Sequence, residues 1–382
     1  MNLLFATRRY PPFIGGSEIQ AERLAHGLAA RGHAVTVLTG RPERSLPRRI
    51  AIEEPESAPG TDTPGSVTIC RIDESPTGKL GTALFLSRLV RHIRTIHPCP
   101  DALLAFMVNE TTAAALWAAR RYGIPAAVRL AMAGPGGDLD WTTTQRFGRW
   151  YRRALHRADA LIGHAETYRD DLERFGLPLE RFRAIPNGVP AGLFDIPRRY
   201  DSPARTILWI GRLEPQKDPL KLADLAAGLN ARGLDYRLSI VGEGSLSDDL
   251  RRSLADDLDA GRAAIHNFTD DLAPHYRNAD LFVMTSRTEG MPNVLLEAMA
   301  AGLPCVAPSV GAIPAAIDDG RTGLLTPPGD VDSLADRLAS LFESTVLRRR
   351  LGEAAHRYAT SQFHESMMLD RYEALLHTLS VH

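Results

Sequence analysis

Short apolar runs alternate with longer amphipathic stretches along almost the whole chain. Residues 2–6 (N-L-L-F-A) read as a buried strand, and residues 7–16 as a polar loop. Ile19, Leu24, Ala25 and Leu28 then fall on one helical face that ends near Gly32, and residues 35–38 are the next strand. The alternation continues with strands at 67–72, 102–106, 126–130 and 160–163. Helices are expected at about 80–96, 111–122, 145–157 and 168–175. Residues 41–66 are rich in Pro, Arg, Glu and Ser without periodicity and read as a surface excursion.

After a Pro- and Arg-containing linker at 190–204 the pattern resumes. Strands are expected at 206–210, 238–241, 265–268, 281–284 and 305–307, and a helix at 273–279. Three closing helices are expected at 331–342, 347–361 and 365–379. Repeated strand and helix predict α/β architecture, with parallel sheets covered by helices on both faces. At 382 residues the chain suits two such domains.

One stretch, residues 281–306 (LFVMTSRTEGMPNVLLEAMAAGLPCV), carries the densest signal. A buried strand runs into a polar turn containing Glu289, and Pro292 suits the first turn of a helix. Leu295, Leu296, Met299 and Ala300 keep helical spacing until Gly302-Leu303-Pro304 ends it. Glu297 lies roughly 6–7 Å along that helix, too far from Glu289 for both to clamp one metal. Amide groups near Asn293–Leu295, at the helix start, favour an anion between the two acids. That order suits a sugar–diphosphate–nucleoside. The plain alternative is one dipole-stabilised glutamate and one solvated one, and spacing alone leaves both open. A second loop, Gly211-Arg212-Leu213-Glu214-Pro215-Gln216-Lys217-Asp218, follows a strand. Its glycine permits close backbone approach, and its two cations can offset diphosphate charge without a metal.

Residues 289–306 (E-G-M-P-N-V-L-L-E-A-M-A-A-G-L-P-C-V) resemble the E-x7-E signature of retaining glycosyltransferases of the GT-B fold, family 4, the "glycosyl transferases group 1" domain. The segment at 211–217 is similar to that family's G-R-L-x-x-x-K, residues 241–244 to its V-G-x-G turn, and residues 186–189 to its P-N-G-V. The resemblance implies GT-B: two Rossmann-like domains with parallel sheets facing a central cleft. It implies an acceptor-binding domain at 1–188, onto which the C-terminal helix 362–382 packs back, and a nucleotide-sugar-binding domain at 200–361. Glu289, Arg212 and Lys217 would be catalytic. Donor contacts would come from Gly15, Gly16, Gly211, Arg212, Lys217, Gly242, Glu289, Gly290, Met291, Asn293, Val294, Leu295 and Glu297, with Glu297 on the ribose hydroxyls. The donor would be a UDP- or GDP-sugar, the acceptor a hydroxyl on a glycan, a lipid-linked sugar or a small molecule. No cofactor and no metal are implied.

The chain departs from the family in places. Histidines that many members carry after the strands at 102–106 and 126–130 correspond here to Leu104, Phe106 and Ala131. Glu18, Arg129, Asp138 and His164 are the polar groups left to meet the sugar or acceptor. Pro190, Asn267 and Ala315 replace residues usual at their positions. Two rival readings follow: a nucleotide-sugar 2-epimerase of the same architecture, and a non-catalytic sugar-nucleotide-binding subunit. The first loop is not G-x-G-x-x-G, which disfavours a dehydrogenase.

A net charge of −1 gives no global pull toward nucleic acid or membrane. Two basic clusters stand out: Arg88, Arg91 and Arg94, and Arg149, Arg152, Arg153 and Arg157 beside Trp150 and Tyr151. They read first as solvated helix faces, and otherwise as a patch for peripheral membrane contact or an acidic acceptor. Cys70, Cys99 and Cys305 are scattered, as expected of a reducing compartment. With no signal peptide and no apolar run of spanning length, the expected location is cytoplasmic, including the inner face of the membrane.

Overall fold

The computed structural model describes residues 1–13, 15–43, 45–53, 65–74 and 78–381, with Lys79 described for its backbone alone. The chain divides into two compact units, Met1–Pro186 with Ser366–His382, and Asn187–Glu365.

The first unit is built on eight strands: β1 (Asn2–Ala6), β2 (Ala34–Arg41), β3 (Arg49–Glu53), β4 (Ser66–Asp73), β5 (Ala102–Phe106), β6 (Ala126–Arg129), β7 (Ala160–Gly163) and β8 (Phe182–Ala184). Their order is β3-β4-β2-β1-β5-β6-β7-β8, parallel except for β3 against β4. The central strands are covered on both faces, which is why β1, β5, β6 and β7 are continuous apolar runs rather than alternating ones. The chain turns back across the sheet between β1 and β5, so the loops after these strands flank the crevice where open α/β sheets take ligands.

Two expectations change here. The stretch 41–66 is not a bare excursion. β2 runs on to Arg41, and Arg49–Glu53 forms an antiparallel edge strand whose alternating half-exposure hid it among prolines and arginines. Residues 54–64 of that stretch lie outside the described residues. The helix expected at 145–157 is shorter, Gly148–Leu155, and a separate helix, Asp138–Thr144, precedes it.

The C-terminal helix, Glu365–Ser380, contributes Met368, Leu369, Tyr372 and Leu376 to the first unit's core, beside Leu24, Ala25 and Leu28 of the helix Gly16–Ala30. Arg31 donates to Glu373 at 2.8 Å, and His33 Nε2 lies 2.7 Å from the same carboxylate. The apolar contacts carry the attachment, because a partly exposed ion pair such as Arg31–Glu373 contributes at most about 1 kcal/mol.

The second unit has six strands, all parallel: β9 (Thr206–Ile210), β10 (Arg237–Val241), β11 (Ala263–His266), β12 (Leu281–Val283), β13 (Cys305–Pro308) and β14 (Leu324–Thr326). The order is β11-β10-β9-β12-β13-β14. The direction of winding therefore reverses between β9 and β12, which brings the loops at 211–218 and 284–292 side by side.

Leu376 is fully buried. Leu376→Ala should cost about 2–5 kcal/mol of unfolding free energy. Urea denaturation followed by far-UV circular dichroism checks this; a change of a few tenths would show that the helix is only loosely attached.

Candidate functional site

In the second unit the two motif loops are fastened to each other by a chain of contacts that starts in the core. Trp209 of β9, 1% exposed, donates its indole N–H to Thr285 Oγ1 at 3.0 Å. Thr285 in turn donates to the carbonyl of Lys217 at 2.8 Å. Gln216 Nε2 donates to Thr288 O at 3.1 Å, and the Arg287 amide donates to Gln216 O at 2.9 Å. Arg287 also forks onto Asp218, at 2.8 and 3.2 Å. At the centre, Lys217 Nζ lies 2.5 Å from Glu289 Oε1, with side chains only 16% and 5% exposed. Arg212 reaches outward from the same loop, its guanidinium 3.3 Å from Gln216 Oε1.

Glycines close this arrangement where no side chain fits. A Cβ on Gly242, at φ +151°, would lie 1.9 Å from the carbonyl oxygen of Gly211. A Cβ on Gly311, at φ +55°, would lie 1.7 Å from the carbonyl oxygen of Glu289. Both are sterically excluded, so each glycine lets a neighbouring loop approach a site loop directly.

The helix after Glu289 runs Asn293–Ala300. Pro292 sits just before it, at the capping position, rather than in its first turn. No side chain caps this terminus and no acid occupies its first turn, so the helix itself supplies nothing that offsets the positive end of its dipole. Gly290 and Met291 form the turn into it, with Val294 and Leu295 in its first turn. Asn187 steadies that turn by donating to Met291 O at 2.9 Å and to Asn293 Oδ1 at 2.7 Å.

Glu297 is 3% exposed, which removes the alternative of a solvated glutamate. Tyr276, on the helix Ala273–Asn278, donates its hydroxyl to Glu297 Oε2 at 2.9 Å. Arg198, in the stretch read as a linker, donates to the carbonyls of Ala301, Ala279 and Tyr276 at 2.5–3.0 Å. It thereby ties the ends of the Tyr276 and Glu297 helices together. Burial holds this guanidinium below its usual range. Spacing along the chain gave no sign of Tyr276, Arg198 or Asn187 as partners, because each reaches across 21 to 106 residues.

In the first unit Gly15 is extended and precedes the helix that begins at Gly16. The Glu18 carboxylate curls back over Gly15, as a third helical residue does in a capping box. Arg129, Asp138 and His164 are all buried, at 4%, 9% and 4% exposure, and form one polar cluster around the ends of β6 and β7. Asp138 accepts from the Ala131 amide at 2.6 Å, and the backbone amides of Val108 and Met132 also favour its charged form. Burial pushes its carboxyl up to about 7, against the opposing pull of those amides and of Arg129. Tyr168 donates to Ala131 O at 3.1 Å and therefore accepts from His164 Nδ1–H at 2.7 Å. That assignment puts the acceptor lone pair on His164 Nε2, which has no partner among the described residues. Burial, reinforced by Arg129, holds this imidazole well below its usual range, so it stays neutral.

Two Rossmann-like parallel sheets, one with paired cationic and acidic loops at its switch point, define the GT-B class. Residues 15–188 match the description "Glycosyl transferase 4-like domain", and residues 204–344 match "Glycosyl transferases group 1". The chain belongs to this family of glycosyltransferases. It is similar to an exopolysaccharide phosphotransferase of Streptomyces coelicolor, 33% identical over 57% of the chain; that stretch spans only 23% of the longer relative. It is also similar to a glycogen synthase of Mycobacterium tuberculosis, 27% identical over 95% of the chain and 91% of the relative. Among solved structures, Anabaena HepE in complex with UDP superposes with a TM-score of 0.75 at 19% identity, covering 99% of this chain and 100% of that one.

Two outcomes follow. Tyr276→Phe leaves a buried carboxylate short of a donor and should cost about 1–3 kcal/mol of stability, read by chemical denaturation. The second concerns pH. A raised carboxyl means that the folded state holds its proton longer than the unfolded one, so Asp138 lowers stability as pH rises from about 4 through about 7. A depressed histidine works in the opposite sense below its ordinary value of 6.5. Above pH 6.5 only the Asp138 contribution of these two remains. Wild type should therefore lose stability between pH 6.5 and 8 relative to Asp138→Asn, in parallel thermal melts. Equal slopes would refute the assignment.

Proposed function

We propose that the chain is a retaining transferase that moves a sugar from a nucleoside-diphosphate-sugar to a hydroxyl acceptor. The observation that carries this reading is the Lys217–Glu289 contact beside the uncapped start of the helix Asn293–Ala300. A cation, a carboxylate and a set of helix-terminal amides then share one small region of the β9–β12 switch point. Diphosphate settles on the amides of residues 293–295, with Lys217 as a point charge and the exposed Arg212 as a planar fork. Glu297, oriented by Tyr276, accepts from ribose hydroxyls. Glu289, once Lys217 turns to phosphate, accepts from hydroxyls of the donor sugar. Gly211, Gly242 and Gly290 keep the backbone close to the nucleotide. UDP bound to HepE, a protein of the same fold, supports a uridine nucleotide as the first donor to try.

In the reaction the anomeric carbon–phosphate oxygen bond breaks, and a bond to the acceptor oxygen forms on the same face. The acceptor proton passes to the departing phosphate oxygen. Negative charge grows on the diphosphate as this happens. Arg212 and Lys217, once seated on the diphosphate, oppose that charge as it grows. With two fixed cations the transfer is proposed to need no metal and no cofactor. The first unit is proposed to hold the acceptor (a glycan, a lipid-linked sugar or a small molecule). Gly15, Gly16 and Glu18 shape its first loop, and Arg129, Asp138 and His164 order the loops after β5, β6 and β7. No nucleic acid partner is proposed, and the compartment proposed is the reducing cytoplasm. Among the described residues no helix is long and apolar enough to cross a membrane.

The test is a panel of UDP- and GDP-sugars with mixed hydroxyl acceptors, followed by release of nucleoside diphosphate and analysis of products. Lys217→Ala and Glu297→Ala should each lower kcat/KM by roughly 10²–10³-fold, and a chelator should leave the rate unchanged. Full activity in either variant would remove its role. Proton exchange at the sugar's C2 without acceptor would identify an epimerase instead. Tight donor binding with no transfer to any acceptor would identify a binding subunit.

A further inference from the structure

Of the four tryptophans only Trp209 is buried in a core. Trp117, Trp141 and Trp150 are 46%, 36% and 40% exposed, and Phe147 is 57% exposed. Among the described residues, seven of the nine exposed large apolar side chains lie between Leu80 and Trp150, so the exposure is concentrated on one part of the first unit. The helix Gly148–Leu155 packs against both Asp138–Thr144 and Glu110–Tyr122. Trp141 stacks on the ring of Tyr151 at 5.6 Å, and Trp150 lies against the same ring at 5.5 Å.

Charge sharpens the pattern. Residues 141–157 hold five arginines and no acid, in a chain whose net charge is −1. Arg149 and Arg153 are exposed, and none of the five forms an ion pair among the described residues. A solvated helix face normally mixes signs and shows few aromatics. Here tryptophans with an apolar body and one polar N–H lie among cations on long stems. Such side chains sit at the boundary between acyl chains and headgroups, with the guanidinium groups reaching back to phosphate.

We infer that this face, centred on Phe147, Trp150, Arg149 and Arg153, docks the protein on the surface of an anionic phospholipid bilayer. The aromatic rings enter the headgroup layer and the arginines meet its negative charge. No donor or acceptor is needed for this contact, so it stands or falls separately from the transfer reaction.

The full-length protein would be sedimented with vesicles of phosphatidylcholine alone and with vesicles containing about 30 mol % phosphatidylglycerol. Binding is expected to the anionic vesicles only and to weaken in about 0.5 M salt. Spin-labelled lipid should quench tryptophan emission, with the buried Trp209 left as residual signal. Arg149→Glu/Arg153→Glu should lower partitioning roughly tenfold or more. Phe147→Ser/Trp150→Ser should remove most of the quenching. Both pairs are at exposed positions, and an unchanged circular dichroism spectrum and melting temperature would verify folding. Equal sedimentation with neutral vesicles, or undiminished binding by the Arg→Glu pair, would overturn the proposal. So would preferential binding to a single-stranded polynucleotide, or a concentration-dependent dimer in light scattering with no vesicle binding.

Discussion

The second unit depends on one contact, a lysine ammonium set against a glutamate carboxylate at the junction of two loops. Lys217 and Glu289 are both largely out of water. Removing either partner would leave an uncompensated charge, a change that typically costs about 3–5 kcal/mol. The surrounding bonds make that arrangement tolerable. The indole of Trp209, through Thr285, fixes the Lys217 carbonyl, and Arg287 and Gln216 bind the loops along their length. Without a ligand the lysine has a partner close by. On the proposed function, a diphosphate would take that partner's place on the lysine and leave the glutamate to accept from sugar hydroxyls.

The first unit solves a different problem. Its polar cluster is buried. Asp138 accepts from the Ala131 amide, and Tyr168 links His164 to the Ala131 carbonyl. These bonds give definite shape to the loops at the carboxyl ends of β6 and β7. A neutral imidazole and a carboxyl that titrates near neutrality suit such a scaffold, since burying two full charges there would be expensive. The C-terminal helix completes the same unit through Tyr372, Leu376 and their neighbours, so the end of the chain belongs with its beginning.

Much of this was legible in the chain itself. Buried strands announce themselves as apolar runs, and β1, β5, β7 and β9 lie at the residues expected. The loops at 211–218 and 284–292 could be marked as a functional pair through the family motifs they resemble, since spacing alone left the acids open to a plain reading. β3 was not legible: R-I-A-I-E is short, half-exposed and set in a proline- and arginine-rich tract, and only pairing with β4 makes it a strand. The helix Asp138–Thr144 was hidden behind Gly-Pro-Gly-Gly, which signals a loop locally. The supporting residues of the site were invisible for a different reason. Tyr276, Arg198, Asn187 and Trp209 act through contacts that close only when the sheet forms, and no spacing rule reports a partner up to 106 residues away.

A crystal structure of the protein with a bound nucleoside-diphosphate-sugar tests the central claim most directly. The account predicts diphosphate oxygens within hydrogen-bond distance of Lys217 Nζ and of the amides at residues 293–295, with ribose hydroxyls on Glu297 and Glu289 released to the sugar. A complex in which Lys217 stays on Glu289 while the diphosphate lies elsewhere would contradict it.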